Sequence, residues 1–234
     1  MTETGNEGHD GELRSEALRV YRRYMLEVVE AFMLCPWAAP ARRDGHVLEH
    51  VFLAENQAHP QQSLELLASL EGQAQIEIAL FIYPDLDLDR LAFEGFVRTV
   101  RERDAARYEV GRIPFAMAAF HPDARADLKD PERLIPFLRR TPDPTIQVVR
   151  RTALDRVRGN SQEGTSFFDL ADLATLPLPQ KEPLSLRQRI AQANLDTVLE
   201  RGIGALEAVF QDIRRDRDQS YERVLGARTR PRSP

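Results

Sequence analysis

The sequence contains little cysteine, no long apolar run and no excess of positive charge. Cys35 is the single cysteine, so an intramolecular disulfide framework is excluded. No run of about 18 apolar residues is present, which argues against a membrane-spanning helix. The net charge of −5 argues against a general nucleic-acid-binding surface, because phosphate binding needs clustered basic residues. We therefore expect a soluble, cytoplasmic protein that binds neither nucleic acid nor membrane.

The motifs of several common enzyme classes are missing as well. The sequence has no Gly-rich phosphate loop, no zinc-binding cysteine pattern and no Gly-x-Ser-x-Gly elbow. His46 and His50 fall in one predicted strand, roughly 13 Å apart, which is too far for both to bind one metal ion. No metal site is predicted from them, and no cofactor is indicated.

Hydrophobic periodicity predicts an α/β fold. With 42% hydrophobic and 29% charged residues, the chain can bury a core without disulfides. Three strands alternate with helices, which favours a layered sheet of three or more strands with at least one parallel crossover. The predicted strands are His46–Leu53, Gln75–Ile82 and Ile113–Phe120, and the predicted helices are Glu12–Leu34, ended by Pro36 and Pro40, then Gln61–Leu70, Asp87–Arg103 and Pro131–Leu138.

One segment, Pro144–Val157, fits either a strand or a helix. Its apolar residues suit both periodicities, and we prefer a helix because Pro144 or Thr145 can open one. A long C-terminal helix is predicted to follow, opened by the capping box Ser185–Gln188. Gly202 lies on its apolar stripe, which suggests close helix packing. The predicted organisation is a disordered leader (1–11), a single α/β domain (12–225) with a loop or lid (159–184) and the C-terminal helix (185–220), and a disordered tail (226–234).

Two of the strands end in similar motifs. Tyr83-Pro84-Asp85 follows one strand and His121-Pro122-Asp123 follows another, and the proline keeps the preceding residue extended. Ligands of open α/β sheets bind beyond the carboxyl ends of the strands. Tyr83 is therefore a candidate binding residue, and His121 is a candidate general acid/base or metal ligand. The alternative is that His121 only bonds a loop carbonyl.

Cys35 and a pair of arginines supply further candidates. Cys35 follows the first predicted helix, where the negative end of the helix dipole disfavours a thiolate and argues against a nucleophile. A nucleophile and a buried structural residue both stay open as interpretations of Cys35. Arg139 and Arg140 lie in a proline-stiffened turn that suits a carboxylate or phosphate, and Arg150 joins them if the following segment is helical. The alternative is that these are surface arginines that form salt bridges to Asp130 or Glu132.

Three motifs, taken together, resemble a known family. Leu34–Ala38, Phe120–Pro122 and Arg140–Thr145 are similar in order and spacing to motifs of the bacterial family catalogued as domain-of-unknown-function 1415. The resemblance covers roughly residues 17–205. It implies that Cys35, His121, Arg140 and Arg150 are family positions, and that Asn194 matches an asparagine in the family's last helix. Trp37, Arg139, Gln147 and Arg151 depart from the family's frequent phenylalanine, asparagine, histidine and glutamate.

These observations lead to three functional hypotheses. The first is an enzyme that acts on a small anionic metabolite, with His121 as general acid/base, Cys35 as nucleophile or nearby thiol, and Arg140 and Arg150 holding the anion. Asn194 and Tyr83 would contact the substrate in the same cleft. The second is a non-catalytic ligand-binding or protein-binding module. The third is a metal or haem site that uses His121 and Cys35. The reaction, the cofactor and the oligomeric state are not indicated by the sequence.

Overall fold

The fold is built on a four-stranded mixed sheet. A computed structural model describes residues 4–35, 37–53, 59–109, 111–125, 127–160 and 186–229. The strands are β1 (Val47–Val51), β2 (Ile78–Ile82), β3 (Phe115–Phe120) and β4 (Thr145–Arg150). The helices are α1 (Thr4–Arg23), a π-helix (Tyr24–Glu30), α2 (Ala38–Arg43), α3 (Pro60–Glu71), α4 (Arg90–Ala105), α5 (Pro131–Leu138), α6 (Arg151–Asn160), α7 (Leu186–Arg201) and α8 (Ile203–Thr229).

The order of the strands in the sheet is β1-β2-β4-β3. β1 and β2 are parallel and are connected through α3, whereas β4 runs antiparallel to both β2 and β3. β1, β2 and β3 therefore point in the same direction and end at one edge of the sheet. The predicted α/β class, the alternation of helices and strands, and the parallel crossover are confirmed.

The prediction of a helix over Pro144–Val157 is wrong. Residues 145–150 form the central strand β4, and helix α6 begins only at Arg151. Ile146 and Val148 are buried on one face of the sheet, so the alternation with a period of two outweighs the helical pattern. A strand here also satisfies the backbone groups of β2 and β3 at once, which a helix could not do.

Helices cover the sheet on both faces. α3 and α4 pack on one face, where Phe81, Phe93 and Ile146 belong to one core. α1, the π-helix, α5, α7 and α8 form a layer over the other face, around Leu80 and Ile82. The side chains of each strand alternate between these two cores, as expected for a sheet that is buried on both faces.

The first predicted helix is divided in the structure. α1 continues as the seven-residue π-helix, and a turn with Met33 at a φ of 52° leads to Cys35. Pro36, predicted to end the helix, lies outside the described residues. Pro40 lies in the first turn of α2, where a missing backbone N–H is tolerated.

Helices reach close to both ends of the described residues. α1 begins at Thr4, so residues 4–11 of the predicted leader are helical, while residues 1–3 lie outside the described residues. Leu13 and Ala17 anchor this helix in the core, and extending an anchored helix costs little. Similarly, α8 reaches Thr229 beyond the buried Val224, and the rest of the predicted tail, residues 230–234, lies outside.

The C-terminal helix is two helices. Gly202 separates α7 from α8 and has a φ of +86°, a left-handed conformation that ends a helix. A Cβ at Gly202 would meet nothing within 4 Å, so the predicted close packing there is wrong. Of the predicted lid (159–184), residues 159 and 160 complete α6, and the others lie outside the described residues.

Candidate functional site

A pocket of about 500 Å³ lies between the sheet and the helices of the Leu80 side. Its floor consists of Ile78 and Leu80 from β2, Gln147 from β4, and Ala116 and Phe120 from β3. The small side chain of Ala116 leaves room above the sheet. The walls come from α1, the π-helix, α5, α6, α7 and the segment around Cys35, and we call this space the central pocket.

The lining of the central pocket is mostly apolar and carries few polar groups. Its polar side chains are Cys35, Arg139, Gln147, Asn194 and two tyrosines. Tyr24 of the π-helix donates its hydroxyl to the Leu138 carbonyl at 2.8 Å. Among the described lining residues, Arg139 is the one side chain that is ionised at neutral pH, and no Asp or Glu is present. The pocket is therefore suited to an amphipathic ligand with an anionic end.

Arg139 is held at the end of α5. Its guanidinium carbon lies 5.1 Å from the ring centroid of Phe120, the last residue of β3. The Arg139 carbonyl accepts hydrogen bonds from the backbone N–H groups of His121 and Thr141, at 3.1 and 3.0 Å. Both backbone contacts and the aromatic ring fix the direction in which Arg139 leaves the turn.

Gln147 and Asn194 place amide groups in the central pocket from opposite sides. Gln147 lies in the middle of β4, paired with Leu80 of β2 and Ala118 of β3. Asn194 lies on α7, and both side chains are partly buried. Neither amide forms a hydrogen bond to another residue in the described part of the chain. Both can therefore donate to and accept from a ligand.

Cys35 also lines the central pocket, but its setting differs from the prediction. Cys35 lies not only after a helix but also shortly before α2, which begins at Ala38, and hydrogen bonds from the backbone N–H groups of Trp37 and Ala38 lower the pKa of its thiol. Burial raises the pKa of the thiol, and those two hydrogen bonds only partly offset the effect. The thiol form therefore dominates near neutral pH, which does not favour a nucleophile.

His121 lies outside the central pocket, on the opposite face of the sheet, against Phe93. Its Nδ1 accepts from the Asp123 backbone N–H at 3.2 Å, and its Nε2 lies 2.9 Å from the Leu88 carbonyl. Since Nδ1 accepts, the proton is on Nε2, which donates to Leu88. Both ring nitrogens thus bond backbone groups, as in the alternative interpretation of this residue.

Tyr83 is buried on the same face as His121. Its hydroxyl lies 2.6 Å from the Ser63 hydroxyl, and its ring stacks on Phe52 at 5.1 Å. Burial raises the pKa of Tyr83 well above its usual value. Tyr83 therefore packs into the core between the sheet and α3 and does not project freely from the end of β2.

Arg140 turns towards α8 and not towards the central pocket. Its Nη1 donates to both carboxylate oxygens of Glu207, at 2.8 and 2.9 Å, and its Nε donates to the Pro122 carbonyl. The guanidinium also lies over the rings of Phe137 and Phe210. The anion that Arg140 holds in this structure is thus a carboxylate of its own chain.

Arg150 lies at the far end of β4. Its guanidinium donates to the carbonyls of Leu70, Gln73 and Ile76, at 2.7, 3.0 and 3.0 Å. These carbonyls end α3 and begin the connection to β2, so Arg150 satisfies backbone groups that the helix leaves open. The pairing of Arg140 and Arg150 is expected only if the segment between them is helical, and because β4 is a strand it separates the two arginines along its length.

The turn between Arg140 and β4 is held by a buried carboxylate. Asp143 is fully buried and accepts hydrogen bonds from Arg217 Nε and from the Tyr221 hydroxyl, each at 2.7 Å. Thr141 and Thr145 donate to the Asp143 carbonyl. The motif Arg140–Thr145 therefore joins α5, β4 and α8, and this structural task explains its polar residues.

The structure thus divides the predicted site residues. Cys35 and Asn194 line the central pocket together, whereas His121, Tyr83, Arg140 and Arg150 lie outside it. Arg139 lies beside Arg140 in the turn that the sequence predicts to suit an anion, and it lines the pocket. Gln147, which the sequence marks only as a departure from the family pattern, lines it too. A signal for Gln147 was present in the sequence: it is a polar residue between Ile146 and Val148 in an apolar segment.

The described residues also bear on the metal and haem hypotheses. No group of three or more His, Cys, Asp or Glu side chains within the described ranges is placed to hold a metal ion. His121 and Cys35, the ligands of the haem hypothesis, face opposite sides of the sheet. The helices that the structure describes are also too short or too polar to cross a lipid bilayer.

Comparison with known proteins identifies the family. Residues 16–169 match the family described as Protein of unknown function (DUF1415). No curated protein and no solved structure shows a significant match to the chain. The matched region includes Cys35, Arg139 and Gln147, whereas Asn194 lies beyond it. Because the match spans more than half of the sequence, the chain belongs to the DUF1415 family of proteins of unknown function.

Proposed function

We propose that this protein binds a small, mostly apolar anion in the central pocket, and that Arg139 contacts the anionic group. One observation carries the proposal: Arg139 is the one ionised side chain among the described residues of a mostly apolar lining. A guanidinium offers paired donors that match a carboxylate. A volume of about 500 Å³ lies within the range of small-molecule sites.

The remaining candidates divide into ligand contacts and supports. Cys35 and Asn194 contact the ligand, as the sequence hypothesis assigned to the shared cleft, and Gln147 joins them. His121, Tyr83, Arg140 and Arg150 hold the sheet and the turn after α5 in place. Binding without turnover is favoured over catalysis because His121 is remote from the pocket and burial raises the pKa of the Cys35 thiol.

The experiment measures binding of 4-phenylbutanoate and its neutral analogue 4-phenylbutanamide by calorimetry and thermal shift. We expect the carboxylate to bind and the amide to bind at least about tenfold more weakly, since hydrogen bonds to charged groups contribute about 1.5–3 kcal/mol. Arg139→Gln should weaken carboxylate binding by a similar factor. Bound ligand should also raise the melting temperature by mass action.

Arg112→Gln is the matched control, because Arg112 is highly exposed and pairs only with Glu109 among the described residues. This variant should bind 4-phenylbutanoate like the wild type. Equal affinity for the carboxylate and the amide, or unchanged affinity in Arg139→Gln, would contradict the proposal. Binding that is lost equally in both variants would show that the effect is one of net charge.

A further inference from the structure

We propose that the ligand of the central pocket carries an internal amide group besides its carboxylate, which places it in the class of N-acyl amino acids. This inference rests on the proposed function, because it takes Arg139 as the contact of the carboxylate. It adds a second recognition point, formed by Gln147 and Asn194. The apolar walls would then hold the acyl group.

The first support is the position of Gln147. It lies in the central strand of the sheet, where Leu80 and Ala118 are its cross-strand neighbours. A ligand that fills the pocket displaces solvent from this partly buried side chain, and an amide that the ligand leaves unpaired is unfavourable. A ligand that bonds the amide avoids this cost, whereas a purely apolar ligand chain incurs it.

The second support is that Asn194 faces the same space from α7. Both amides combine an N–H₂ donor with a carbonyl acceptor, and neither bonds another described residue. A carboxylate can only accept hydrogen bonds, so it leaves the amide oxygens of Gln147 and Asn194 without a donor. A secondary amide in the ligand has an N–H, which can donate to the amide oxygen of one of these side chains. Its C=O can accept from the N–H₂ group of the other side chain.

The third support is the spacing along the sheet. Arg139 lies over Phe120, which pairs with Thr145, and Gln147 lies two residues further along β4. Two residues of a strand span about 7 Å. In an N-acyl amino acid one carbon separates carboxylate and amide, and a hydrogen bond of about 2.9 Å at each end lets both groups reach their partners.

Hippurate and 4-phenylbutanoate provide matched probes. Both have a phenyl ring and a carboxylate separated by three chain atoms, but only hippurate has the amide. We expect the wild type to bind hippurate at least about tenfold more tightly by calorimetry, since a site built for hydrogen bonds rejects the analogue that lacks them. Gln147→Met and Asn194→Leu should each remove most of this preference.

The quantity compared in each variant is the ratio of its affinities for hippurate and 4-phenylbutanoate, and circular dichroism with thermal unfolding shows whether the variant is folded. Gln192→Met is the control, because Gln192 lies exposed on α7 and bonds Asp196. It should keep the preference for hippurate. Asn194 lies on α7 and not in the sheet. Asn194→Leu therefore tests the inference independently of any effect that Gln147→Met has on β4.

The outcomes separate the two proposals. Equal wild-type affinities for hippurate and 4-phenylbutanoate would overturn the amide inference and leave the anion-binding function standing. A preference for hippurate that survives in both variants would also overturn the inference. Failure of both probes to bind would contradict the proposed function itself. A wild-type preference for hippurate that both folded variants lose would support the two proposals together.

Discussion

Arg139 and Arg140 are adjacent in the chain but act on opposite sides of the turn that follows α5. Arg139 lies over Phe120 at the central pocket, whereas Arg140 lies over Phe210 and pairs with Glu207 of α8. The first is placed to contact a ligand and the second joins two parts of the fold. Substituting Arg139 alone should therefore weaken ligand binding, whereas substituting Arg140 alone should lower the stability of the fold.

Arg140→Gln should lower stability and leave ligand binding intact. The substitution removes a double contact to Glu207 and a bond to the Pro122 carbonyl, which together are worth about 1–3 kcal/mol. Urea unfolding measures the loss, and Glu207→Gln completes a double-mutant cycle. Loss of 4-phenylbutanoate binding at unchanged stability would instead place Arg140 in the binding site.

His121→Ala should also act on stability. Removing the ring leaves the Leu88 carbonyl and the Asp123 N–H without their partner, at a cost of about 1–3 kcal/mol. We expect 4-phenylbutanoate to bind the folded variant as it binds the wild type. A variant that unfolds normally but no longer binds would revive the hypothesis that His121 acts on the ligand.

Asp216 should make the protein sensitive to acid. Hydrogen bonds from Arg19 and Arg23 lower the pKa of Asp216 to about 2. The unfolded chain binds the proton at a pKa of about 3.9, so this contribution is complete above that pH and is lost as the pH falls towards 2. We expect Asp216 to contribute about 1 kcal/mol to the free energy of unfolding at pH 7, because Asp216 and its two arginine partners are partly exposed.

Asp216→Asn should therefore unfold at lower urea concentration at pH 7 and differ less from the wild type at pH 2.5. Asp196→Asn is the control, since Asp196 lies exposed on α7 and bonds only Gln192 among the described residues. A stability difference between wild type and Asp216→Asn that stays constant from pH 7 to pH 2.5 would rule out this linkage.

Gly202 and Gly204 should respond to alanine with opposite signs. Gly202 has a φ of +86°, so Gly202→Ala should cost about 1–2 kcal/mol of backbone strain. Gly204 lies within α8, where alanine is the better helix former, and Gly204→Ala should add up to about 1 kcal/mol. A Cβ meets nothing within 4 Å at either site, so neither substitution introduces a packing clash. Thermal unfolding of the two variants therefore compares their backbone effects directly.

Cys35 should react slowly with iodoacetamide in the native protein. Burial raises the pKa of its thiol, so alkylation at pH 7.5 should be about tenfold or more slower than in urea. Bound 4-phenylbutanoate should slow it further, since Cys35 lines the central pocket. As the single cysteine, it gives an unambiguous mass shift. Rapid native alkylation would point to an activated nucleophile.

Much of the fold was predictable because local patterns decide it. The apolar run of β2 and the helical stripe of α4 need no distant partner to be recognised. The segment of β4 was ambiguous because its apolar residues fit two periodicities, and only pairing with β2 and β3 selects the strand. Gly202 lies on a helical stripe, yet its left-handed conformation depends on how α7 and α8 pack.

The candidate site was predictable only in part. Cys35 and Asn194 were indicated by a family resemblance, and both line the central pocket. The choice of Arg140 over Arg139 could not be made from the sequence, because the direction of each side chain depends on Phe120, Phe210 and Glu207. His121 follows the end of β3 and precedes Pro122, a position that predicts an exposed side chain. In the structure, however, α4 covers His121 through Phe93.

The central position of β4 also determines when the sheet can be completed during synthesis. β2 and β3 lie on either side of β4 and make no pair with each other. A nascent chain that ends before residue 145 therefore exposes the edges of both strands, which can pair with other chains. Only after Thr145–Arg150 leave the ribosome do these edges close, so a slow decoding of this stretch would lengthen the period in which the chain is prone to aggregate.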